Sequence, residues 1–432
     1  MNISLFTWLG ICLPLVASCS SDVYLDVSDS TISISMKAEE ERLSGKSDSY
    51  FVSDDIKERI LYRARQMSDI KWTPQGDIPA PGGYYSAGKE VFGIPYSSVK
   101  EKEKYVGQYV SFYTFFTAVL NPKSVLYTEN VREYPYHGTN CSTYYGTVCS
   151  MAVNYVLGIP YSYTTSDYKK LDDFYRAKYQ SIENVEIGDI LLQEGKHVVI
   201  IVDLKKTQSS IDSVFVLESS ASRGTRIDKY SFSEFRNYWR MGWEIYRYSN
   251  LNSLSSITEM SFNEFPYDTP FNSPVCSSRG DRAVYRKGED VVLNNLDGMP
   301  HKMSILCEGE VIDTFESDND MIIKDLQPGL YTFDHNITSL TNPSIEVIDT
   351  NVSLESQGRK LKVLFSSSNA KPLSIIVSDI VGVRKLIIPL SEFDRERGFS
   401  VLSSPSNSEN LYVKVMFEGL YGCISNKPIL IP

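Results

Sequence analysis

A cysteine, a histidine and a glutamate follow one another in an order that could support nucleophilic catalysis. Cys149 begins the stretch CSMAVNYVLGI, in which the residues three, four and seven positions on are apolar and would share one helix face. His197 begins the β-like run HVVIIVDL, and Glu218 lies at the end of the next such run, SVFVLES. A cysteine hydrolase needs a thiolate, a base that forms it and a group that orients the base, so these three residues are the candidate catalytic set.

The start of a helix favours Cys149 as the nucleophile. A helix N-terminus lowers the pKa of a thiol and supplies backbone N–H groups that can hold an oxyanion. Cys141 is the alternative nucleophile, but the residues that follow it, STYYG, are poor helix formers. A structural interpretation also exists, in which Cys149 is a small buried residue without chemistry.

Four histidines compete for the role of base. His197 would lie at the mouth of a sheet, where it can meet the start of a helix, and is the preferred base. His137, in the loop before Cys149, is the alternative. His301 and His335 fall in a strand-rich region further along the chain, where we expect surface positions.

Other polar side chains are open to two interpretations. Glu218 could orient His197, or it could simply pair with Arg223 or Arg226 at the surface. Tyrosine combines an apolar ring with a polar tip, which suits a substrate groove as well as a packed core. The candidate substrate-binding tyrosines are Tyr96, Tyr144 and Tyr145.

The elements that must position these residues indicate an α+β unit. The runs IGDILLQ, HVVIIVDL, SVFVLES and WEIYRYS predict strands, and YSFSEFRNYW predicts a helix capped by Ser231 or Ser233. A helix that begins after Ser53 and a largely buried helical segment over Tyr105–Leu120 are predicted upstream. One helix after Cys149 would therefore pack on a small antiparallel sheet.

Two of these motifs resemble the NlpC-type cell-wall cysteine peptidases, a papain-like family. CSMAVNYVLGI is similar to the family's Cys-Ser-x-φ-Val-x-Tyr-Val helix (φ apolar), and IGDILLQEGKHVVIIVDL is similar to its Gly-Asp-Ile/Leu strand followed by a His-Val-x-Ile-Tyr/Val strand. The resemblance covers residues 134–248. The family usually has Asp before the cysteine, where this chain has Val148. It often has His, Asn or Gln as the third polar residue, where this chain has Glu218.

The resemblance implies an exported hydrolase of peptidoglycan stem peptides that needs no metal and no other cofactor. Cys149 would attack an amide next to a D-configured or diamino acid residue, His197 would move the proton, and Glu218 would orient His197. One alternative is a catalytically silent lipoprotein that binds glycan or protein through its later modules. Another is an amidase or transferase that acts on a different acyl substrate.

After about residue 250 the pattern changes to short alternating strands separated by turn residues, which is typical of all-β sandwich modules. LQPGLYTF resembles the Leu-x-Pro-Gly-x-Tyr corner of immunoglobulin-like and fibronectin-like modules. We expect an α+β papain-like domain over 50–250, with a helical N-terminal extension, and sandwich modules over 251–350 and 351–432. A single larger sandwich is the alternative.

The first residues resemble a bacterial lipoprotein signal. An apolar core runs from Leu5 to Val16 and is followed by Val-Ala-Ser-Cys, which is similar to a lipobox that ends at Cys19. A plain signal peptide is the alternative. We expect a signal peptide over 1–18, a lipid anchor at Cys19 and a polar tether over 19–49, with the protein exported and held on the bacterial outer membrane.

The charge and the cysteines exclude some partners. The formal net charge of −11 over 432 residues argues against nucleic acid, which binds to basic surfaces. Five of the seven cysteines lie beyond Cys19, and they are too scattered for a zinc site. An odd number of cysteines in an oxidising compartment leaves at least one free thiol.

Overall fold

A computed structural model describes residues 52–80, 83–98, 104–131, 143–176, 182–207, 210–251, 262–263, 270–357, 360–379, 384–403 and 410–432. The signal peptide, Cys19, the tether, Cys141 and His137 lie outside the described residues. Elements are numbered below in chain order.

The N-terminal extension begins with helix α1, Asp54–Ser68, directly after Ser53 as predicted. Its buried face includes four apolar residues that recur every three or four positions, Ile56, Ile60, Ala64 and Met67. Four short strands follow it: β1 Lys71–Trp72, β2 Ile78–Ala80, β3 Gly83–Tyr85 and β4 Val91–Phe92. They form two small antiparallel pairs, β1 with β4 and β2 with β3.

The segment predicted as a helix from Tyr105 to Leu120 is helical only in its second half. Helix α2 spans Phe112–Leu120 and is followed by the single turn α3, Val125–Thr128. Gly107 has a φ of +85°, a left-handed conformation that reverses the chain and that a continuous right-handed helix cannot contain. The apolar residues of the first half therefore pack from an irregular segment rather than from a helix.

A central sheet of six antiparallel strands follows, in the order β5-β10-β6-β7-β8-β9. Its strands are β5 Phe174–Arg176, β6 Ile190–Gln193, β7 His197–Lys206, β8 Ile211–Ser220, β9 Gly224–Ser231 and β10 Glu244–Tyr248. Strands β6, β7, β8 and β10 correspond to the four predicted runs. Strand β9 was not predicted, because its residues, GTRIDKYS, are mostly polar.

Helices cover both faces of this sheet. Helix α4, Cys149–Val156, packs with α1 against the face that carries Val198 and Ile200. Helix α5, Phe232–Arg240, packs Phe235 against the face that carries Val199 and Ile201. Ser231 caps α5 as predicted, in a capping box with Glu234.

The next region is a β-sandwich. Its strands are β11 Val275–Ser277, β12 Ala283–Arg286, β13 Val291–Asn295, β14 His301–Cys307, β15 Glu310–Ser317, β16 Met321–Ile323, β17 Gly329–Asp334 and β18 Ser344–Ile348. Two sheets, β11-β13-β16 and β12-β18-β17-β14-β15, enclose one apolar core. The Tyr331 hydroxyl donates to the Gln327 carbonyl at 2.8 Å, which is the corner predicted from LQPGLYTF.

A second sandwich follows, with its own apolar core. Its elements are β19 Asn351–Gln357, β20 Lys360–Ser366, β21 Lys371–Asp379, β22 Arg384–Pro389, α6 Glu392–Arg397, β23 Phe399–Ser403, β24 Leu411–Glu418, β25 Cys423–Ser425 and β26 Ile429–Leu430. The sheets are β19-β20-β23 and β22-β21-β24-β25, and β26 also pairs with β24. The structure is therefore rich in β-sheet, and the β-sandwich part of the predicted fold class is confirmed.

One expectation about the sandwich histidines was wrong. His335 is buried, and its Nε2 lies 2.8 Å from the Ser273 hydroxyl. Burial and the neighbouring His301 lower the pKa of His335, because both penalise the charged imidazolium. His335 is thus a core residue of the first sandwich.

Both sandwiches contact the N-terminal half of the chain. The Asn121 side chain donates to the Ser277 carbonyl at 3.1 Å, and the Cys423 backbone N–H donates to the Tyr109 carbonyl at 2.8 Å. Among the residues that the structure describes, no helix is long and apolar enough to cross a membrane.

Candidate active site

Cys149 is the first residue of helix α4, the position that the sequence predicts. Val148 precedes the helix in an extended conformation and provides no side-chain cap. The cysteine is buried, with 3% of its surface exposed, and belongs to the same apolar core as α1 and α2. Cys149 forms no disulfide with any of the other described cysteines.

His197 and Glu218 form a direct pair on the central sheet. Nε2 of His197 lies 3.0 Å from Oε1 of Glu218. His197 is the first residue of β7 and Glu218 lies near the end of β8, the antiparallel neighbour. Trp243 packs edge-on against the imidazole, with 5.7 Å between the ring centroids, and so limits the access of water to the pair.

Glu218 also binds two arginines, and its role in orienting a catalytic His197 stays a prediction. Its Oε2 accepts from Arg223 at 3.0 Å and from Arg226 at 3.1 Å. Burial by itself would raise the pKa of Glu218, but the hydrogen bond and charge of His197, followed by those of Arg223, hold it below the usual range. Glu218 is therefore a carboxylate at neutral pH and can accept a hydrogen bond from His197.

Cys149 belongs to a helix that packs on one face of the sheet, whereas His197 shares the opposite face. Strand residues alternate between faces, so His197 shares the face of Val199, which α5 covers. Helix α4 packs on the other face, against Val198. The thiol and the imidazole can therefore meet only at the end of the sheet, where His197 is the first residue of its strand.

One segment links the starts of α4 and β7. The Tyr168 hydroxyl donates to the Ser150 carbonyl at 3.0 Å and lies 2.7 Å from Asn154 Oδ1, which places it against the first turns of α4. Burial and then the nearby Cys149 raise the pKa of Tyr168 well above its usual value.

The same segment reaches the turn before His197. Lys169 donates to Glu194 at 3.0 Å, and a side chain at Gly195 would come within 3.6 Å of the Ser166 hydroxyl. Residues 166–169 thus contact both the helix start and the β6–β7 turn. The segment therefore links the first turns of α4 with the turn that leads into His197.

The three candidate substrate-binding tyrosines are buried. Tyr96 bridges to Thr147, and the rings of Tyr144 and Tyr145 pack edge-to-face at 5.0 Å. The Tyr145 hydroxyl donates to the Arg279 carbonyl at 2.9 Å and so joins the first sandwich. These contacts are structural, and a substrate contact by any of the three remains a prediction.

Sequence reasoning did not identify Trp243 or Tyr168 as parts of the site. Neither lies in a motif that marks it, because their contacts with His197 and the start of α4 depend on the folded chain. Among the described residues, no three His, Cys, Asp or Glu side chains form a cluster that could hold a metal ion.

Comparisons with known proteins give no family. No protein-family model matches the chain, and no curated protein matches it. Among solved structures, the FN1–FN3 domains of chicken CNTN1 match 38% of this chain and 66% of that chain, at 11% identity and a TM-score of 0.16. The chain thus spans about two thirds of that fibronectin-type structure, and a score this low carries no argument. The sandwich description rests on the sheets themselves.

Proposed function

We propose that this chain is an exported cysteine hydrolase with a papain-like α+β domain that cleaves amide bonds in peptidoglycan stem peptides. The observation that carries the proposal is the 3.0 Å contact between His197 Nε2 and Glu218 Oε1 at the end of the sheet next to the start of α4. The substrate class comes from the NlpC-type motifs around Cys149 and His197. The lipid anchor at Cys19 and the outer-membrane location belong to the same proposal.

In this proposal the two imidazole nitrogens have different roles. Glu218 engages Nε2, so Nδ1 would take the proton from the Cys149 thiol. The thiolate would attack the amide carbonyl, and the oxyanion would be held by backbone N–H groups at the start of α4. His197 would return the proton to the leaving amine, and a water molecule activated by the same nitrogen would then hydrolyse the thioester and restore the thiol.

The decisive test is a comparison of wild-type protein with Cys149→Ala on purified muropeptides, with products identified by mass spectrometry. We expect new amine and carboxyl termini from wild type and a loss of at least a thousandfold in the variant, because the nucleophile is absent. Cys276→Ala is the control, since Cys276 is a buried residue of strand β11, in the first sandwich. Equal product from wild type and Cys149→Ala would contradict the mechanism. Product analysis also separates peptidase activity from amidase or transferase activity.

A second candidate function is a silent binding protein that holds glycan or protein through its sandwich modules. The observation that favours it is the burial of Cys149 in a core on the sheet face opposite to His197. A buried thiol without a base reacts slowly with electrophiles. Rapid alkylation of Cys149 by iodoacetamide at pH 7, slowed at least tenfold in His197→Ala, would support the hydrolase. A slow rate in both proteins would support the binding protein.

A further inference from the structure

Glu218 belongs to a closed ring of alternating charges, which we call the charge ring. Its Oε2 accepts from Arg223 at 3.0 Å and from Arg226 at 3.1 Å. Both arginines also pair with Asp228: Nε of Arg226 donates to its two oxygens at 2.9 and 2.8 Å, and Nη1 of Arg223 lies 3.5 Å from one of them. The charge ring thus joins two cations to two carboxylates, and His197 contacts it through the other oxygen of Glu218.

The pairing of strands builds the charge ring into the sheet. Glu218 on β8 lies directly opposite Arg226 on β9, where side chains of an antiparallel pair are in contact distance. Asp228 follows two residues after Arg226 and therefore shares its face of the strand. The Tyr230 hydroxyl lies 3.5 Å from Asp228 and accepts from the Tyr238 hydroxyl of α5 at 3.1 Å. Helix α5 therefore supports the charge ring from the far side.

The two arginines differ in their exposure to water. The side chain of Arg226 is 21% exposed, whereas that of Arg223 is 53% exposed. Water screens the charge of an exposed side chain, so Arg226 acts more strongly on Glu218 than Arg223 does. A guanidinium is planar and presents its donors as a rigid fork, so Asp228 fixes the orientation in which Arg226 meets Glu218.

The charge ring bears on the acid–base chemistry of His197. A carboxylate beside an imidazole favours the charged imidazolium, and a cation that shares this carboxylate opposes that effect. The proposed mechanism needs a neutral imidazole, because Nδ1 must accept the proton of the thiol. The titratable and charged groups around the His197 pair include Glu218 on β8, Arg223 in the following turn, Arg226, Asp228 and Tyr230 on β9, and Tyr238 on α5.

We propose that Arg226, oriented by Asp228, is a positioning residue for the base. It holds Oε2 of Glu218 and shares its negative charge, so that Oε1 orients His197 while the imidazole stays neutral at neutral pH. The inference deepens the proposed function and rests on it for the role of His197 as a base. It predicts that substitutions at Arg226 and Asp228 change the protonation of His197 through Glu218.

The protonation of His197 is measured by NMR titration of histidine-labelled protein without substrate. The chain has four histidines, and His197→Gln assigns the signal. We expect Arg226→Gln to raise the titration midpoint of His197 by about one pH unit, because a cation is lost, and Asp228→Asn to lower it by a similar amount, because an anion is lost. Loss of structure would instead move both variants towards the value of an exposed histidine. A midpoint that is unchanged in Arg226→Gln, or that moves in the same direction in both variants, would overturn the proposal.

Three further variants separate Arg226 from its neighbours. Arg226→Lys keeps the charge without the fork and should recover most of the wild-type midpoint. Arg223→Gln removes a cation from the same oxygen but should raise the midpoint less, since Arg223 is half exposed. Arg236→Gln is the remote control, because Arg236 forms an exposed pair with Glu183. A shift in Arg223→Gln as large as that in Arg226→Gln would overturn the assignment to Arg226.

Turnover of muropeptides separates this inference from the proposed function. In an active hydrolase the acidic limb of the pH profile of kcat/KM should move with the NMR midpoint in each variant, because His197 must be neutral to act as a base. Wild-type turnover with an unchanged midpoint in Arg226→Gln would overturn the positioning role and leave the hydrolase standing. Midpoint shifts of opposite sign in a wild-type protein without turnover would support the coupling of Arg226 to His197 and reject the hydrolase.

Discussion

At the scale of single residues, His197 and Glu218 are the two members of the candidate site for which the structure shows a direct contact. The acid holds one imidazole nitrogen and is itself held by two arginines. Burying these charges costs desolvation free energy. The ion pairs with the arginines and the contact with His197 offset this cost. Its order in the chain could be predicted, because each residue ends or begins a strand with a recognisable pattern.

We expect Glu218→Gln to destabilise the protein at neutral pH but not in acid. The pKa of Glu218 lies below its usual range, so its contribution to stability is present above the unfolded-state pKa and disappears as the pH falls through the folded-state value. The variant should lose about 1–2 kcal/mol of unfolding free energy at pH 7, and the difference should shrink as the pH falls below the ordinary pKa of a glutamate and vanish once the folded-state carboxylate is protonated. Urea denaturation at pH 7, 5 and 3.5 measures this.

The control for this prediction is Glu310→Gln, which removes an exposed carboxylate on the outer strand β15 and should change little at any pH. A deficit in Glu218→Gln that does not decrease between pH 5 and pH 3.5 would show that the carboxylate charge is not its cause.

Local sequence can also mislead at this scale. Arg279-Gly280-Asp281 is an integrin-type tripeptide in the sequence, but the structure uses it for packing. Arg279 stacks over the Tyr285 ring at 4.3 Å and pairs with Glu289 at 3.0 Å. Asp281 is 2% exposed. Both side chains are therefore occupied inside the protein.

At the scale of elements, the alternation of apolar residues predicted the strands of the central sheet and both sandwiches. The sequence pattern gave a wrong or missing element where the local structure depends on backbone conformation or on contacts with distant residues. Gly107 prevents the first part of the predicted Tyr105–Leu120 helix from forming, because its left-handed backbone turns the chain. Strand β9 forms from polar residues because it pairs along its length with β8 and because α1 also packs on it. Neither effect leaves a local pattern.

The contact between the N-terminal extension and β9 gives a matched glycine experiment. Gly93 and Gly88 both have a positive φ, of +78° and +70°, but only at Gly93 would a Cβ meet a backbone oxygen, at 2.0 Å. We expect Gly88→Ala to cost about 1 kcal/mol from backbone strain alone. Gly93→Ala should cost at least about 3 kcal/mol, because the extension must move away from β9. Equal unfolding midpoints in urea would contradict this account of the contact.

At the scale of the whole molecule, the sandwiches pack directly on the N-terminal half. The first sandwich contacts α2 through Asp281, whose N–H donates to the Thr117 hydroxyl at 2.8 Å. The second reaches the same region through Cys423 and also binds the first, since Glu346 accepts from the Leu420 and Tyr421 N–H groups. These contacts indicate that the modules support one another.

The contact at Asp281 predicts a pH dependence of the opposite sign to that of Glu218. Burial raises the pKa of Asp281 to about 6, against hydrogen bonds from the Ser344 and Arg282 N–H groups that lower it. Its contribution to stability is complete below about pH 4 and is lost as the pH rises through about 6.

We expect Asp281→Asn to remove this loss. Between pH 4 and pH 7 the unfolding free energy of the variant should fall by up to about 3 kcal/mol less than that of wild type, since two pKa units correspond to that amount. Urea titrations across this range measure the slope, and Asp318→Asn, on an exposed loop, should follow wild type. Identical slopes for wild type and Asp281→Asn would reject a buried, titrating Asp281.

The sequence by itself determined the order of chemistry-bearing residues, the strands around them, the cap of α5 and the tyrosine corner of the first sandwich. Each of these depends on side chains a few residues apart, and periodicity and capping act over that range. Only the tertiary structure decided that Glu218 contacts His197 and two arginines and that Tyr145 supports the first sandwich. Those contacts join residues whose separation in the chain carries no local signal, because they depend on which faces of the sheets and helices come together.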